Sequence, residues 1–543
     1  MKKIFVLAAM ALPVVSVSAQ DNVNPDTYIG AQLATEDLNG TARYVGMGGA
    51  MEALGADLSV MGSNPAGIGL YRRSQIAGSF GLNSQVDGKS FADGSKTNAS
   101  FDQIGFVYSS PVGRTGFVNF GFNFHKSRNF DYVLSAAASA VNGSSQNRQT
   151  YINLLNNLDS KGDIINPMKE SIADVLNYKM MDVYEPDAQG KDQYIETIYI
   201  NSDRYRFDRA HTGYIGEYDF NLSGNINNRV YLGITVGIKS VHYNAYSVYQ
   251  EDLYKLDDPT FNYAEVRDSH KIKGYGYNVK FGAIFRPMEE SPFRLGLYVH
   301  TPTMYKLETS SVSSLHNQQE MMKQVVGDPV KFRMNTPWKF GLSAGHTIGG
   351  ALALGATYEY ADYSTLDLRS ITNSYYDYWD GYYRDESDTD PVMKAHTEKT
   401  LEGVHTLKLG SEYRIDKNVS VRVGYNYVSP IYKKEGVRDL TLDSPGTQMA
   451  TTTDYTNWQD THRLTAGVGF TFDKFRLDLA YQYQTRKGDF YPYQHRRSSG
   501  SSELLSGIDT EKDGKKVTVT NEAVAVPVKD QRHQLICSLT YTF

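Results

Sequence analysis

The chain has 543 residues, 41 of them tyrosine, and a formal net charge of −6 from 55 basic and 61 acidic side chains. This near balance gives no electrostatic footprint for a nucleic-acid partner, and the single cysteine, Cys537, excludes an intramolecular disulfide framework. No apolar run of about 18 residues follows the N-terminal region, so the sequence predicts no transmembrane helix.

The first residues have the pattern of a secretory signal peptide. A basic pair at residues 2–3 precedes an apolar stretch at residues 4–17, and small residues lead up to Ala19. We expect cleavage after Ala19 and a mature chain that begins at Gln20. No cysteine follows the cleavage site, so a lipid anchor is not expected.

A glycine-rich apolar stretch follows a polar start. Residues 40–73 read GTARYVGMGGAMEALGADLSVMGSNPAGIGLYRR, which does not alternate as a strand would. As a free linker, this stretch would expose many apolar side chains, so we expect it to pack inside another part of the molecule. Pro65 disfavours helical backbone at Asn64, which predicts that a helix through residues 57–62 ends there.

From residue 75 onward the pattern changes to period 2, which is typical of strands with one apolar face. It predicts fourteen strands, at residues 75–83, 100–109, 114–125, 211–225, 229–243, 272–287, 292–302, 334–347, 351–363, 403–415, 418–429, 461–473, 475–486 and 531–543. Val421 and Val423, for example, face one way, and Arg422 faces the other.

Short turns alternate with long connections between these strands, and the longest connection spans residues 126–210. This is the pattern of an outer-membrane β-barrel with short periplasmic turns and long external loops. The fold class is therefore all-β, a transmembrane antiparallel barrel over residues 75–543 in a Gram-negative bacterium. Soluble β-sandwiches are the alternative, but they leave the asymmetry of the connections and the many tyrosines unexplained.

An even number of strands places both ends of the barrel sequence on the short-turn side. We therefore expect a periplasmic N-terminus and the stretch 40–73 at the periplasmic mouth. The last strand ends at Phe543, and a terminal aromatic is similar to the signal that the barrel assembly machinery recognises. Cys537 lies on the apolar face of this strand and is predicted to meet lipid.

A barrel of fourteen strands is too wide for its own side chains to fill and needs something in its lumen. The stretch 40–73 is the only non-strand segment of suitable length beside the first strand, so residues 20–74 are predicted to form a plug. Gly46, Gly48 and Gly49 would let its backbone pack closely against the wall.

The inward faces of the predicted strands carry charges of both signs. They form either a lattice of ion pairs that stiffens the wall or a site where one or two cations hold a ligand carboxylate. The candidates for such a head-group site are Lys280, Arg294, Arg422 and Arg476.

These residues together suggest a family. The segment TARYVGMGGA…ALGADLSVMGSNPAGIGLYRR, followed by many strands and a terminal phenylalanine, resembles the FadL-type outer-membrane transporters of long-chain fatty acids and aromatic hydrocarbons. The resemblance implies an N-terminal hatch with an Asn-Pro-Ala motif, here Asn64, Pro65 and Ala66, followed by Gly67. It also implies passive uptake of small hydrophobic molecules from an external groove into the lumen, with lateral exit through a gap at a kinked strand. Fatty acids are the default substrate.

The connections depart from the family pattern. Residues 126–210 contain two helix-like stretches, at 150–158 and 166–176, which either form an apolar entry groove over the external mouth or cover only themselves. Gly116 and Gly121 in the third strand would allow an inward bend.

The sequence contains no convincing catalytic set. The G-x-S-x-G pattern at residues 341–345 lies inside an alternating strand rather than at a strand-to-helix elbow, so we interpret it as coincidence. The histidines lack metal-ligand spacing. The acidic residues 377–390 form either a solvated loop or a weak Ca²⁺ site. We expect no enzyme activity, no cofactor and no structural metal.

The expected partners are hydrophobic small molecules or lipids and the lipid of the outer membrane, with the protein as a monomer. Two alternatives to the uptake channel stay open. One is a surface scaffold or shuttle for secreted proteins, which the resemblance allows and the long connections favour. The other is a general porin for hydrophilic solutes.

Overall fold

The computed structural model describes residues 26–139, 145, 182–186, 193–197, 202–253, 263–317, 323–326, 329–379, 381–438, 453–494, 508–512, 515–519 and 523–543. The predicted signal peptide, and the two helix-like stretches at 150–158 and 166–176, lie outside these ranges. The helices within them are α1 (Thr27–Ala34), α2 (Ala42–Gly46) and α3 (Pro391–Thr400), with 3-10 helices at Leu58–Gly62, Pro65–Leu70 and Tyr363–Thr365.

The strands make up most of the described chain. In order they are β1 (Gln75–Gln85), β2 (Thr97–Val112), β3 (Gly116–Asn129), β4 (Tyr132–Ser139), β5 (Asp182–Pro186), β6 (Gln193–Thr197), β7 (Ser202–Ile226), β8 (Val230–Leu253), β9 (Tyr263–Phe285), β10 (Arg294–His300), β11 (Met304–Asn317), β12 (Lys323–Val326), β13 (Val330–Asn335), β14 (Lys339–Ile348), β15 (Leu352–Asp362), β16 (Asp367–Asp377), β17 (Tyr382–Thr389), β18 (Gly403–Arg414), β19 (Val419–Val428), β20 (Tyr455–Phe472), β21 (Phe475–Tyr491), β22 (Ile508–Lys512), β23 (Lys515–Val519) and β24 (Val526–Thr542).

Antiparallel pairing joins these strands into a closed barrel. The pairing runs from β1 through β2, β3, β7, β8 and β9 and onward to β21 and β24. The last strand, β24, then pairs with β1 from Gln75↔Thr542 to Gln85↔Arg532, so the sheet has no open edge. Fourteen strands form the wall, and the prediction of a fourteen-stranded antiparallel barrel is confirmed.

Three neighbouring strands of the wall are interrupted. The breaks lie between β10 and β11, between β13 and β14, and between β15 and β16, and the first two contain Pro302 and Pro337. Proline has no backbone N–H to give to a ladder, so such a break is where a proline is tolerated. The flanking pairs continue on both sides, because β10 pairs with β14 and β11 pairs with β13.

The outside of the barrel is apolar. Val421, Val423, Leu464 and Leu539 are exposed there, whereas Arg422 on the opposite face of β19 is buried. Cys537 is exposed, as the alternation predicts. A continuous apolar exterior of this kind is suited to contact with lipid. Among the residues described, no helix is long and apolar enough to cross a membrane.

Several strands extend further than predicted toward the long connections. The strand predicted at 229–243 is Val230–Leu253, and the one predicted at 272–287 begins at Tyr263. In these extensions the inward residues Phe207, Tyr249 and Val266 form a buried apolar cluster. The outward residues there are more polar, so the alternation seen in the sequence reports only the part of each strand that faces lipid.

Candidate functional site

The N-terminal segment, residues 26–73, lies inside the barrel. Its backbone and side chains are bound by inward-facing residues of strands on different sides of the wall. The backbone N–H of Ala42 donates to Ser538 Oγ at 2.7 Å, Asn119 donates to the Ile68 carbonyl at 2.6 Å, and Thr357 donates to Glu52 at 2.7 Å. These contacts satisfy polar groups that would otherwise be buried without partners.

The beginning of this segment lies at the end of the barrel with the long connections. In α1, the ring of Tyr28 stacks on Tyr432 with centroids 5.1 Å apart and contacts Tyr455 at 4.9 Å, and Thr27 Oγ1 lies 2.9 Å from His396 Nδ1. Tyr432 and His396 belong to long connections. Residues 26–34 thus lie at the end opposite the short turns, whereas the prediction of a periplasmic N-terminus stays a prediction, since residues 1–25 lie outside the described chain.

The physical reason is that an even strand number fixes only where the chain enters the barrel. That entry is indeed near the short turns, since Ser109 Oγ donates to the Tyr71 carbonyl and Arg72 contacts Asn228. The preceding chain runs through the lumen toward the other end, where α1 finds aromatic and polar partners.

A row of inward-facing glycines marks where the segment touches the wall. We call it the glycine track, and it consists of Gly233, Gly282, Gly296, Gly345, Gly355, Gly410, Gly424 and Gly467. Gly345, Gly355, Gly410 and Gly424 are successive cross-strand partners on β14, β15, β18 and β19.

At most positions of the track, an added Cβ would collide with the N-terminal segment. At Gly355 it would overlap the Ala50 carbonyl, and at Gly410 it would overlap the Met47 carbonyl, each at less than 3.0 Å. The backbone of the segment therefore lies directly on the backbone of the wall, a close approach that only glycine allows.

Gly46, Gly48 and Gly49 are the segment's own side of this contact. Gly48 and Gly49 have φ values of +63° and +80°, a conformation that L side chains rarely adopt. Gly46 has ordinary backbone, and a Cβ there would lie 3.4 Å from the Cα of Gly467. Backbone conformation thus requires glycine at positions 48 and 49, and close packing favours glycine at position 46.

The Asn-Pro-Ala motif begins a short helix. The helix Leu58–Gly62 ends just before Asn64, which agrees with the prediction, and Pro65 then opens the 3-10 helix Pro65–Leu70. Asn64 Oδ1 accepts from the N–H of Ala66 at 3.2 Å, and its Nδ2 donates to the Glu52 carbonyl at 3.1 Å. The motif packs against Gly233 and Gly282 of the track. Its role as a gate, together with that of Gly67, stays a prediction.

Lys280 and Arg294, two of the four predicted head-group cations, differ from each other in their surroundings. Lys280 Nζ lies 2.5 Å from Glu217 and 2.7 Å from Asp219, and all three side chains are buried. Arg294 donates to the Leu54 carbonyl at 2.8 Å and has no carboxylate partner among the described residues. For Lys280, this geometry favours the ion-pair lattice over a ligand site.

The other two cations, Arg422 and Arg476, belong to one cluster at the short-turn end. Arg422 lies 2.6 Å from Glu412 and 2.9 Å from Asp478, and Arg476 contacts the same two carboxylates at 3.4 and 3.0 Å. Arg43 of the segment adds a two-pronged pair with Glu412 at 2.9 and 3.0 Å. These arginines anchor the segment, and their role in ligand binding stays a prediction.

Two cavities lie on opposite sides of the segment. The upper cavity, about 350 Å³, is lined by α1 and by residues of the long connections such as Tyr432 and Arg438. The lower cavity, about 420 Å³, is lined by Arg43, Arg72 and the turn residue Lys474. The segment between them packs against the wall through the glycine track.

The lower boundary of the upper cavity is a network of alternating charges. Glu36 bridges Lys239, at 2.6 Å, and Lys339. Burial raises the pKa of Glu36, but the two ammonium groups lower it, and the net result is a pKa well below the usual value. The segment is thus held to β8 and β14 by one carboxylate.

The side wall of the upper cavity carries an arginine cluster, defined as Arg128, Arg463, Arg486 and Arg532 with Asp37 and Asp530. Asp37 contacts Arg128 at 2.9 Å and Arg463 at 3.7 Å, while Asp530 contacts Arg486 at 2.9 Å and Arg532 at 2.7 Å.

None of these four arginines is among the head-group candidates that the sequence suggests. Arg486 shares the inward parity of Asp478 and Gln482, so continuing the alternation past the lipid-facing span would have found it. Arg128 follows a register shift in β3 between Lys126 and Arg128, which the pattern does not reveal.

Strand pairing in β3 continues without interruption at the two predicted glycines. Gly116 and Gly121 are paired with Val112 and Val107 of β2, and Gly121 is also paired with Asn221 of β7. The absent side chain at Gly121 instead leaves room for Met61 of the segment. The G-x-S-x-G residues lie within β14, as the alternation predicts.

The acidic residues at 377–390 belong to the β16–β17 hairpin and the start of α3. Asp385 pairs with Arg333 at 2.8 Å, and Asp377 pairs with Arg384 at 2.8 Å. In the described part of the chain, no group of three or more His, Cys, Asp or Glu side chains is placed to hold a metal ion.

No family model and no curated protein matches the sequence. The structure is similar to that of a Pseudomonas aeruginosa FadL homologue, with 12% identity, a TM-score of 0.48, and coverage of 94% of this chain and 100% of that one. It is also similar to the Ralstonia pickettii toluene transporter TbuX, at 12% identity, TM-score 0.45, and 93% and 99% coverage. For the P. putida toluene transporter TodX, the identity is 11% and the TM-score is 0.44, with coverage of 93% of this chain and 99% of that one. Similarities at these levels carry no argument about function.

Proposed function

We propose that the chain is an outer-membrane channel for the passive uptake of small hydrophobic or amphipathic molecules, with residues 20–74 as its hatch. The observation that carries this proposal is the upper cavity, which lies at the long-connection end and has the segment beneath it. Aromatic rings and paired charges line it together, as in sites that bind a ligand with an apolar body and a polar group.

The path we propose begins at the long connections, which face the outside. A molecule enters the upper cavity, and displacement of the segment then opens the way past the charged network. For lateral exit, we propose the three-strand break rather than β3, because His300 at the end of β10 lies 2.6 Å from the Ser63 carbonyl, beside the Asn-Pro-Ala motif. Long-chain fatty acids stay the default substrate.

Uptake measured in a Gram-negative host, with and without the protein, tests this function. The substrates are a long-chain fatty acid and toluene. Ala245 lines the upper cavity, so Ala245→Trp should lower uptake by filling it, whereas Val112→Trp at the exposed end of β2 should not. Equal uptake with and without the protein, for both substrates, would remove the proposal.

A surface scaffold is the second candidate, and one observation favours it. The tip of the β16–β17 hairpin exposes Tyr378 and Trp379 at 89% and 97%, next to exposed Tyr382 and Tyr383. Exposed aromatic residues of this kind are enriched at protein interfaces. Co-purification of secreted proteins that is lost when residues 375–384 are replaced by a Gly-Asn turn would support this candidate, and unchanged co-purification would contradict it.

A further inference from the structure

The arginine cluster holds more positive than negative charge. Its four guanidinium groups share two carboxylates, so two positive charges are in excess among the described residues. The four side chains are only 6% to 18% exposed. Burying a net charge is costly unless an opposite charge accompanies it, so the cluster is poised to gain a counter-ion.

Most neighbouring charges are paired with one another. Asp131 acts electrostatically on Arg532 but also on Lys126, whose positive charge offsets it. The network beneath the cavity is nearly balanced by itself, with five carboxylates against four lysines: Glu36, Glu52, Glu217, Asp219 and Glu359, and Lys239, Lys280, Lys339 and Lys408. Arg209 and Arg438, which also line the cavity, each have their own carboxylate, Asp454 and Asp26. Arg128 Nε is buried and has no hydrogen-bond partner in the described structure.

The cluster is bordered by aromatic rings. The guanidinium of Arg486 lies 4.0 Å from the ring centre of Trp458, and that of Arg532 lies 5.3 Å from the ring centre of Tyr132. Further toward the long connections, Phe207 and Phe490 belong to a buried apolar cluster. A ligand seated here would meet cations at one end and apolar surface at the other.

We infer that the arginine cluster binds the doubly charged head of an amphiphile, with a phosphate monoester on an apolar tail as the matching chemistry. This inference rests on the proposed function and names the class of ligand for its upper cavity. A dianion neutralises both excess charges, whereas a monocarboxylate or a sulfate monoester leaves one. Guanidinium groups also match phosphate oxygens in two-pronged hydrogen bonds.

Binding of two octyl ligands to the full-length protein in non-ionic detergent tests the inference. Octyl phosphate and octyl sulfate have the same tail, but only the phosphate carries a second charge that is present at pH 8 and lost near pH 5, because its second pKa is about 6. We expect octyl phosphate to bind at least about tenfold more tightly than octyl sulfate at pH 8, with a ratio that falls about fivefold or more at pH 5, where only about a tenth of the phosphate keeps its second charge. His211 and His270 also line the cavity, and their protonation acts on both ligands alike, so the ratio isolates the head group.

Variants place the effect at the cluster. Arg486→Gln and Arg532→Gln each remove one excess charge and should reduce the preference for phosphate to about threefold or less. Arg206→Gln, at an arginine that is 75% exposed, is the matched control and should keep it. Heat-modifiable gel mobility shows whether each variant is folded, and the comparison of ligands on the unmutated protein needs no variant at all.

Equal binding of the two octyl ligands at pH 8 would overturn the inference, as would an unchanged preference in both folded variants. Inorganic phosphate that binds as tightly as octyl phosphate would also overturn it, because the tail would then contribute nothing. If the preference is absent while uptake of fatty acid or toluene persists, only this inference fails. If neither octyl ligand binds and uptake is also absent, the proposed function itself fails.

Discussion

Glu36 connects the N-terminal segment to two strands of the wall at once. Its carboxylate receives Lys239 at 2.6 Å and also contacts Lys339. Burial alone would raise its pKa, but the two ammonium groups outweigh burial and hold the pKa well below the usual value. Asp37 beside it has a lowered pKa as well: burial raises it, and Arg128 with Arg463 more than offsets the increase.

These two carboxylates make the seating of the segment resistant to mild acid. Their folded pKa values lie below the unfolded ones, about 4.3 for Glu and about 3.9 for Asp. Their stabilising contribution is therefore complete above those values and is lost only as the pH falls through the folded values. After pretreatment at pH 5, we expect trypsin cleavage within residues 26–73 to stay slow. Cleavage should become faster only after pretreatment well below pH 4.

Glu36→Gln should flatten this acid response and speed cleavage at pH 7, because the variant lacks the contribution at every pH. The exposed Glu290→Gln is the matched control. Release of the segment between pH 6 and pH 5 in the unmutated protein would contradict the assignment.

Lys280 separates the two interpretations of the inward charges. It is buried between Glu217 and Asp219, so Lys280→Met would leave Asp219 without its lysine partner and Glu217 with Lys239 as its only lysine partner, at 3.3 Å. We expect a loss of about 3–5 kcal/mol in the free energy of unfolding, measured by urea denaturation in lipid vesicles. The second change Asp219→Asn should recover part of that loss.

If Lys280 binds a ligand head group instead, Lys280→Met should lower octyl phosphate affinity and leave stability nearly unchanged. Lys273→Met, at a lysine that is 74% exposed, serves as the control for loss of a lysine.

At the scale of elements, the glycine track fixes how the segment lies on the wall. An added Cβ at Gly410 or Gly424 would overlap backbone atoms of Met47 or Gly48. Backbone atoms cannot rotate out of the way as the end of a side chain can. Gly410→Ala and Gly424→Ala should therefore displace the segment locally and raise the ion conductance of the protein in planar bilayers.

Gly78→Ala on β1 is the matched control for the track. Its nearest neighbour would be the Gln103 carbonyl at 3.9 Å, which is ordinary van der Waals contact. We expect conductance like that of the unmutated protein. Equal conductance in all three folded variants would show that the segment is not held by the track.

Sequence pattern predicted the wall better than its contents. The period-2 alternation found every strand of the barrel, because lipid imposes an apolar residue at every second position. It understated β8 and β9, whose ends leave the lipid-facing span and follow no such rule. It also missed the course of α1, since Tyr28 is placed by Tyr432 and Tyr455, which are distant in sequence.

The arginine cluster shows the same limit at the level of a site. Its members come from β3, β20, β21 and β24 and from the segment itself, and only closure of the barrel brings them together. The inward parity of Arg486 and Arg532 was available in the sequence. Their common counter-ion Asp530 and the excess charge of the cluster were not, because both depend on register between strands.

At the scale of the whole molecule, the barrel encloses two cavities with the N-terminal segment between them. The barrel does not need this segment for its closure. The β24–β1 ladder completes the wall through strand pairing alone, from Gln75↔Thr542 to Gln85↔Arg532. A barrel of about eight strands is filled by its side chains and one of about sixteen is an open pore, so fourteen strands without a segment inside should leave a water-filled channel.

Deletion of residues 20–73, with the signal peptide joined directly to residue 74, should therefore give a folded barrel of high conductance. The upper and lower cavities become continuous, and single-channel conductance in planar bilayers should rise from near closed to a porin-like level. Heat-modifiable mobility would verify folding, and Gly78→Ala would again serve as the full-length control. A folded deletion variant that conducts no more than the full-length protein would show that side chains of the wall, rather than the segment, close the lumen. High conductance of the full-length protein would instead favour the general porin.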